Sequence, residues 1–415
     1  MYEIEEMGIW SMFDELIREI TNIEVLWTSL NTIKDNFSVN SAILWIMMIF
    51  LVIGGVDKLL GNKLGYGEKF EEAFVTMKPL ALGMIGVLVM VPILRMLLEP
   101  IIAPVYEFFG ASPAMFAGTL LSVDAGAYPL ALEMADGDLA AASFSGVVLG
   151  GTVGIVLLGM IPISMELLRE EDREVFAASV LLAIITIPLG CIAGGLVMSL
   201  TCYPMAFSAM MVNLIPVILV AALIALGLYL RPKQMMNAFC VLGRAMQILL
   251  IFALVTATFQ AVTGLRLPLF YLMVEPAVPG GISPLNDALM IVGNIALILA
   301  GALPMILWIS RVFQKPIQKL GKKLGMNEVA VTGMLATLAS YFPAAQLVER
   351  MNPKGKLLFL SFAIASSWAF GDHLGYVAGV DQNMVLPLVI SKMVAAISAL
   401  FLANALAPRF IKEEE

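Results

Sequence analysis

From residue 41 to residue 406 the chain runs as a series of apolar stretches separated by short polar turns. Eleven can be marked, at 41–60, 79–98, 113–132, 139–165, 175–200, 207–230, 247–264, 288–312, 329–347, 357–380 and 384–406. Several approach the twenty or so residues that carry a helix across hydrocarbon. The pattern predicts an all-α polytopic membrane protein with about 10–11 hydrophobic segments. Residues 1–40 read differently. Met7, Trp10, Phe13, Ile17, Ile20, Trp27 and Leu30 recur at roughly helical spacing among eight acids and only two bases, Arg18 and Lys34. That spacing predicts an acidic amphipathic helix, lying on the membrane or on a partner subunit. The acidic start, with no basic region, argues against a cleavable signal peptide.

The stretches are not independent. "RMLLEPIIAPVYEFFGASPAMFAGTLLS" from Arg95 aligns with "RVFQKPIQKLGKKLGMNEVAVTGMLAT" from Arg311, and Pro129, Gly154 and Pro188 fall opposite Pro343, Gly371 and Pro387. The correspondence points to a duplication of about 200 residues: a first membrane repeat at 41–205, a connecting helix at 206–232, a second repeat at 245–406 and a charged tail at 407–415. Loop charge then suggests the topology, because Lys and Arg concentrate on the cytoplasmic side. The clusters Arg311/Lys315/Lys319/Lys322/Lys323 and Arg350/Lys354/Lys356 share a side only if 329–347 dips in and returns. Its counterpart 113–132 should do the same. Both carry Gly, Pro and polar centres, as expected of non-helical backbone shielded from lipid. With two re-entrant segments, Lys58/Lys63/Lys69/Lys78 falls inside and Glu133/Asp136/Asp138 outside. The halves would then be an inverted 5+5 repeat, an arrangement of secondary transporters.

Composition narrows the classes. The chain is 60% hydrophobic and 13% charged, against about half and about a quarter in soluble proteins. A net charge of −8 with no basic stripe makes nucleic acid a poor partner. Cys191, Cys202 and Cys240 lack CxxC spacing and read as small hydrophobes. No GxxxxGK[ST] run is present, so the chain is not the engine of an ATP-driven pump. No cofactor, metal ligand set or catalytic group is expected.

What stands out is polar chemistry inside apolar stretches. Asp124 lies in "LLSVDAGAYPLAL", where an acid should face a cavity or a partner. It reads either as a counter-charge for a cation or as the cap of a broken helix. His373, the only histidine, follows Asp372 in "SSWAFGDHLGY". Neighbours on a helix diverge by about 100°, so the two can serve one ligand only if the helix breaks, and Gly371 and Gly375 permit a break. Asp372 could face the pathway while His373 orients it or shuttles protons. Alternatively, both end a helix at the interface. Trp368, Tyr128, Tyr341, Phe342 and Tyr376 crowd these positions, and aromatic faces attract ammonium ions. "IPLGCIAGGL", 187–196, reads as close helix packing or as the lining of a path. Lys392 is expected to pair internally or to snorkel.

At "MFAGTLLSVDAGAYPLALEMADGDLAA", "IPLGCIAGGL" and "AFGDHLGY" the chain resembles the ethanolamine utilisation permease family. The resemblance spans 41 to about 406, with Tyr376 where the family pattern has Phe and with a longer acidic N-terminal extension. It implies a multi-pass protein of the bacterial inner membrane that admits ethanolamine for catabolism by an ammonia-lyase housed in a microcompartment. Ethanolamine is a small primary ammonium with one hydroxyl. It needs a carboxylate, an aromatic wall and hydroxyl partners. Asp124, Asp372, His373, Trp368, Tyr128, Ser122, Tyr341 and Phe342 can supply these if the two broken regions meet. An alternating-access carrier is the leading reading. A passive channel, a carrier of another small amine and an intramembrane enzyme are the alternatives. Coupling to protons or sodium, and homo-oligomerisation, stay open at this stage.

Overall fold

In hydrocarbon every backbone N–H and C=O must find its partner within the protein, and an apolar segment does so most simply as a helix. The computed structural model describes residues 9–35, 37–201, 203–276, 278 and 280–410, and among them there are helices and no strand. The chain falls into two units, Met1–Ile43 and Leu44–Glu415. In the first, α1 (Ile9–Ile20) and α2 (Ile23–Asp35) replace the single amphipathic helix expected. The turn between them closes with Thr21 N donating to Ile17 O at 2.9 Å. Phe13, Ile17, Ile20, Trp27 and Leu30 are all exposed on this unit, and Met7 lies outside the described residues.

Among the described residues, eight helices of 21 to 40 residues are long and apolar enough to span a membrane. In chain order they begin with α3 (Val39–Leu59). The short amphipathic α4 (Tyr66–Val75) leads to the spanning α5 (Ala81–Phe108). After a broken pair, α6 (Met115–Leu120) and α7 (Ala127–Met134), come α8 (Leu139–Leu167), α9 (Glu170–Ser199), α10 (Phe207–Leu230), α11 (Pro232–Thr263) and α12 (Pro284–Lys323). Two further broken pairs follow, α13 (Glu328–Ala339) with α14 (Tyr341–Ala345) and α15 (Pro353–Ser366) with α16 (Asp372–Val380). The last span, α17, is Gln382–Phe410, and 411–415 of the expected tail lie outside the described residues. Eight long helices and three broken pairs account for the eleven apolar stretches. The chain is therefore an all-α, polytopic membrane protein.

Small residues set how closely the helices approach. A Cβ on Gly86 of α5 would run into the backbone of Leu250 on α11, and one on Gly301 of α12 into the backbone of Met47 on α3. The "IPLGCIAGGL" stretch serves close packing: Gly190 and Gly194 of α9 lie against Ser391, Pro387 and Ala395 of α17. Between Phe144 and Gly154, α8 is wound as a π-helix, a form often found at functional sites.

The ends of the α13–α14 pair lie together. Asn327 N donates to Asn352 Oδ1 at 3.0 Å, Asn352 Nδ2 to Gly325 O at 2.8 Å and Asn327 Nδ2 to Arg350 O at 2.9 Å. The segment between them enters and returns at one end of the molecule. Cysteines at Leu320 and Lys354, in a background lacking Cys191, Cys202 and Cys240, should therefore share one side. Both should resist a membrane-impermeant thiol reagent applied outside. Labelling of only one would contradict the re-entrant path.

Candidate functional site

Where α6 stops, the backbone turns extended at Leu121 (ψ 146°) and Ser122 (ψ 155°). A single 3-10 turn, Val123–Ala125, then presents Asp124, closed by Ala125 N and Ala127 N donating to Ser122 O at 2.9 and 3.1 Å. Gly126 ends the turn at φ 88°, a conformation glycine adopts without penalty. Opposite, α8 is shaved to glycine: a Cβ on Gly154 would strike the carbonyl of Leu121.

The second unwound stretch joins α15 to α16. Its backbone groups are satisfied by the end of α13, as polar backbone at membrane depth requires. Trp368 N donates to Thr337 O at 3.1 Å and Phe370 N to Leu338 O at 3.0 Å, while Thr337 Oγ1 and Ser367 Oγ lie 2.9 Å apart. Gly371, the expected counterpart of Gly154, admits the carbonyl of Ala339 where a Cβ would stand. Trp368 sits at φ 58°, unusual for a large residue and costing on the order of 1–3 kcal/mol. The break falls on the Gly371 side only. Gly375 lies within α16, packed on Leu299.

These two stretches meet at His373. Its Nε2 is 3.4 Å from Asp124 Oδ1 and 3.4 Å from Ser122 Oγ, while Ser122 Oγ donates to Asp124 Oδ1. The imidazole stacks on the Trp368 indole at 5.9 Å between centroids and 23° between planes. His373 is fully buried and its Nδ1 has no hydrogen-bond partner. The Asp124 side chain keeps 26% of its exposure. Asp372, the first residue of α16, is half-buried and makes no hydrogen bond or ion pair among the described residues. It lies within electrostatic reach of Asp124.

The remaining candidates divide. Tyr341 and Phe342 approach the Trp368 ring edge-on at 6.2 and 5.9 Å. With His373 covering one face of Trp368, these rings form a wall beside the imidazole, not an open box. The Tyr341 hydroxyl accepts from Ser164 Oγ at 2.8 Å, and Phe342 is 47% exposed. The Tyr128 hydroxyl donates to Asp381 Oδ2 at 3.1 Å. Tyr376 is fully buried with an unpartnered hydroxyl. Lys392 matters more than its sequence context suggested. It is fully buried, its Nζ donates to Gly151 O of the π-wound stretch at 2.5 Å, and Asp124 and His373 both feel its charge. Its signal was visible, a lysine inside an apolar span.

The crossing thus gathers two acid side chains, Asp124 and Asp372, and a buried lysine, Lys392, within electrostatic reach of Asp124. Groups of this kind inside apolar segments are costly unless a partner or a ligand engages them. Among the described residues, no group of three or more His, Cys, Asp or Glu side chains is placed to hold a metal ion.

Residues 39–406 match the family model described as "Ethanolamine utilisation protein, EutH". The "Probable ethanolamine permease EutH" of Listeria monocytogenes serotype 1/2a (strain 10403S) is 41% identical over 383 residues, covering 91% of this chain and 97% of that protein. The protein of the same name in Escherichia coli (strain K12) is 37% identical over 397 residues, with 89% and 96% covered. That of Salmonella typhimurium (strain LT2) is 36% identical over 397 residues, with the same coverage. No solved structure is significantly similar to the chain.

Proposed function

The chain belongs to the ethanolamine utilisation protein EutH family, and from that premise we propose that it carries ethanolamine across the bacterial inner membrane by alternating access. The single observation that carries the reading is the excess carboxylate at the crossing of two unwound stretches. Asp124 is held by Ser122 and His373, whereas Asp372 has no partner among the described residues. Ethanolamine is a cation at neutral pH, and its ammonium placed between Asp372 and Asp124 completes the charge balance with Lys392. The substrate hydroxyl has a partner in reach of the same turn, the Ser122 side chain.

Two features support alternating access. Each half of the sequence holds a broken pair, α6–α7 and α13–α14, preceded by a long helix bearing an arginine, Arg95 or Arg311. Each broken pair also meets a close-packed glycine, Gly154 of α8 against Leu121 and Gly371 of the second unwound stretch against Ala339. An inverted repeat built this way places its substrate where the halves cross, and rocking of one half against the other exposes that point alternately.

With Lys392 carrying its proton beside Asp124, the loaded site balances without a sodium ion. Uptake of labelled ethanolamine into proteoliposomes should saturate and should be indifferent to an imposed sodium gradient. Uptake that requires sodium would place a second cation in the site and overturn this charge balance.

His373 is assigned a positioning role: it holds Asp124 and leans on Trp368. A proton on the imidazole would add positive charge beside Asp124 and compete with the substrate, so affinity should fall once the pH is low enough to protonate His373. His373→Gln keeps a hydrogen-bonding side chain but cannot titrate. It should retain much of the binding and flatten that pH profile. A wild-type profile in the variant would remove His373 as the titrating group.

A further inference from the structure

At one end of the spans, the start of α9, the α10–α11 junction and the last turn of α17 enclose a half-open cleft of about 870 Å³ that shares no lining residue with the crossing. That volume is in the range of sites for ligands of drug size and above, far more than a small ion needs. Its depth is apolar, walled by Ala177 and Leu181 of α9, Leu228 of α10 and Met236 of α11. Its mouth is charged and carries Glu170, Arg173, Glu174 and Lys233.

The charged mouth is incompletely satisfied. Arg173 gives one amino group to Met165 O at 3.1 Å and approaches Glu170 at 3.7 Å, but its Nε is shut off from solvent with no acceptor. The Arg173 side chain nevertheless stays 38% exposed, so the outer part of its guanidinium is open to a ligand in the cleft. Lys233 and Glu174, both exposed, form no ion pair or hydrogen bond among the described residues. Glu171, which also lines the cleft, lies 3.6 Å from Arg169.

We propose that this cleft binds one membrane phospholipid with a primary-ammonium head group, its phosphate between Arg173 and Lys233, its ammonium on Glu174 and Glu170, and an acyl chain along Ala177 and Leu181. The charge count selects the class. With Glu171 on Arg169, two acids and two bases remain at the mouth, a balance that suits a zwitterion better than a purely anionic lipid. A primary ammonium can donate hydrogen bonds to the carboxylates and a quaternary one cannot, so the site prefers the former. The apolar depth favours a lipid over a free head group. None of these residues belongs to the ethanolamine site, so this assignment stands apart from the transport reading.

Native mass spectrometry of the purified protein, with equal amounts of phosphatidylethanolamine, phosphatidylcholine and phosphatidylglycerol of identical chains, tests it. The wild type should retain phosphatidylethanolamine in preference to both others. Arg173→Gln should weaken that retention roughly tenfold, as loss of a charge-assisted hydrogen bond does. Lys233→Gln, at an exposed and unpaired position, removes a phosphate partner without threatening the fold and should also reduce the preference. Equal retention of the three lipids, or an unchanged preference in folded Arg173→Gln and Lys233→Gln, would overturn the assignment. So would binding of free phosphoethanolamine in place of any retained lipid.

Discussion

Asp372→Asn should bring ethanolamine binding below detection in purified, folded protein. Asp372 is the one carboxylate of the crossing with no hydrogen bond or ion pair among the described residues, which is why the proposal makes it the counter-charge. Asn keeps the size and loses the charge. The remaining carboxylate, Asp124, is then balanced by Lys392 within the protein, and an added ammonium would stand as an uncompensated charge. Leaving one member of a buried ion pair alone costs about 3–5 kcal/mol, which is a hundredfold or more in affinity. Because Asp372 holds no other side chain, melting temperature should barely move. Normal binding in the variant would make Asp372 a helix-start acid, stabilised by the helix dipole and nothing more.

Asp124→Asn should have a smaller effect on affinity and a larger one on structure. The amide can still accept from Ser122 and face His373, so the turn keeps its hydrogen bonds. Charge attraction to the ammonium is lost, at about 1–3 kcal/mol, or tens of fold in affinity. Lys392 also loses the anion it faces, so some thermal destabilisation should accompany the change. Titration calorimetry paired with thermal melting separates the two variants: Asp372→Asn loses binding alone, while Asp124→Asn loses part of both. Unchanged binding in a folded Asp124→Asn would leave Asp124 as a cap for the broken helix.

Much of the membrane architecture was legible because it follows from local composition. Apolar runs near twenty residues long become spans, and the glycines and polar centres of 113–132 and 329–347 mark the places where helices fail. The third break was readable from Gly371, which lies against the carbonyl of Ala339 and cannot carry a Cβ. The π-winding at 144–154 was not legible, since its small-residue composition serves an α-helix equally well.

The site was legible in its parts and not in its pairing. Asp124, Asp372 and His373 stood out because charge is rare inside apolar segments. That Asp124 lies against His373, 3.4 Å away, depends on how two distant unwound stretches cross, and no local pattern encodes that. The same holds for Tyr128, whose hydroxyl turns to Asp381, and for Trp368, whose face is covered by the imidazole. Lys392 pairs internally, one of the two outcomes its place in an apolar span allowed. Only the tertiary structure places its ammonium on the Gly151 carbonyl of the π-wound helix.

Counterflow in proteoliposomes tests most directly whether the paired carboxylates serve a carrier. Vesicles loaded with unlabelled ethanolamine, and diluted into a trace of labelled ethanolamine with no ion gradient, should accumulate label transiently above equilibrium. A variant carrying both Asp124→Asn and Asp372→Asn should not. Rapid, non-saturating entry of label without overshoot would contradict a carrier and indicate a pore. An overshoot that survives in the double variant would put the substrate elsewhere in the protein.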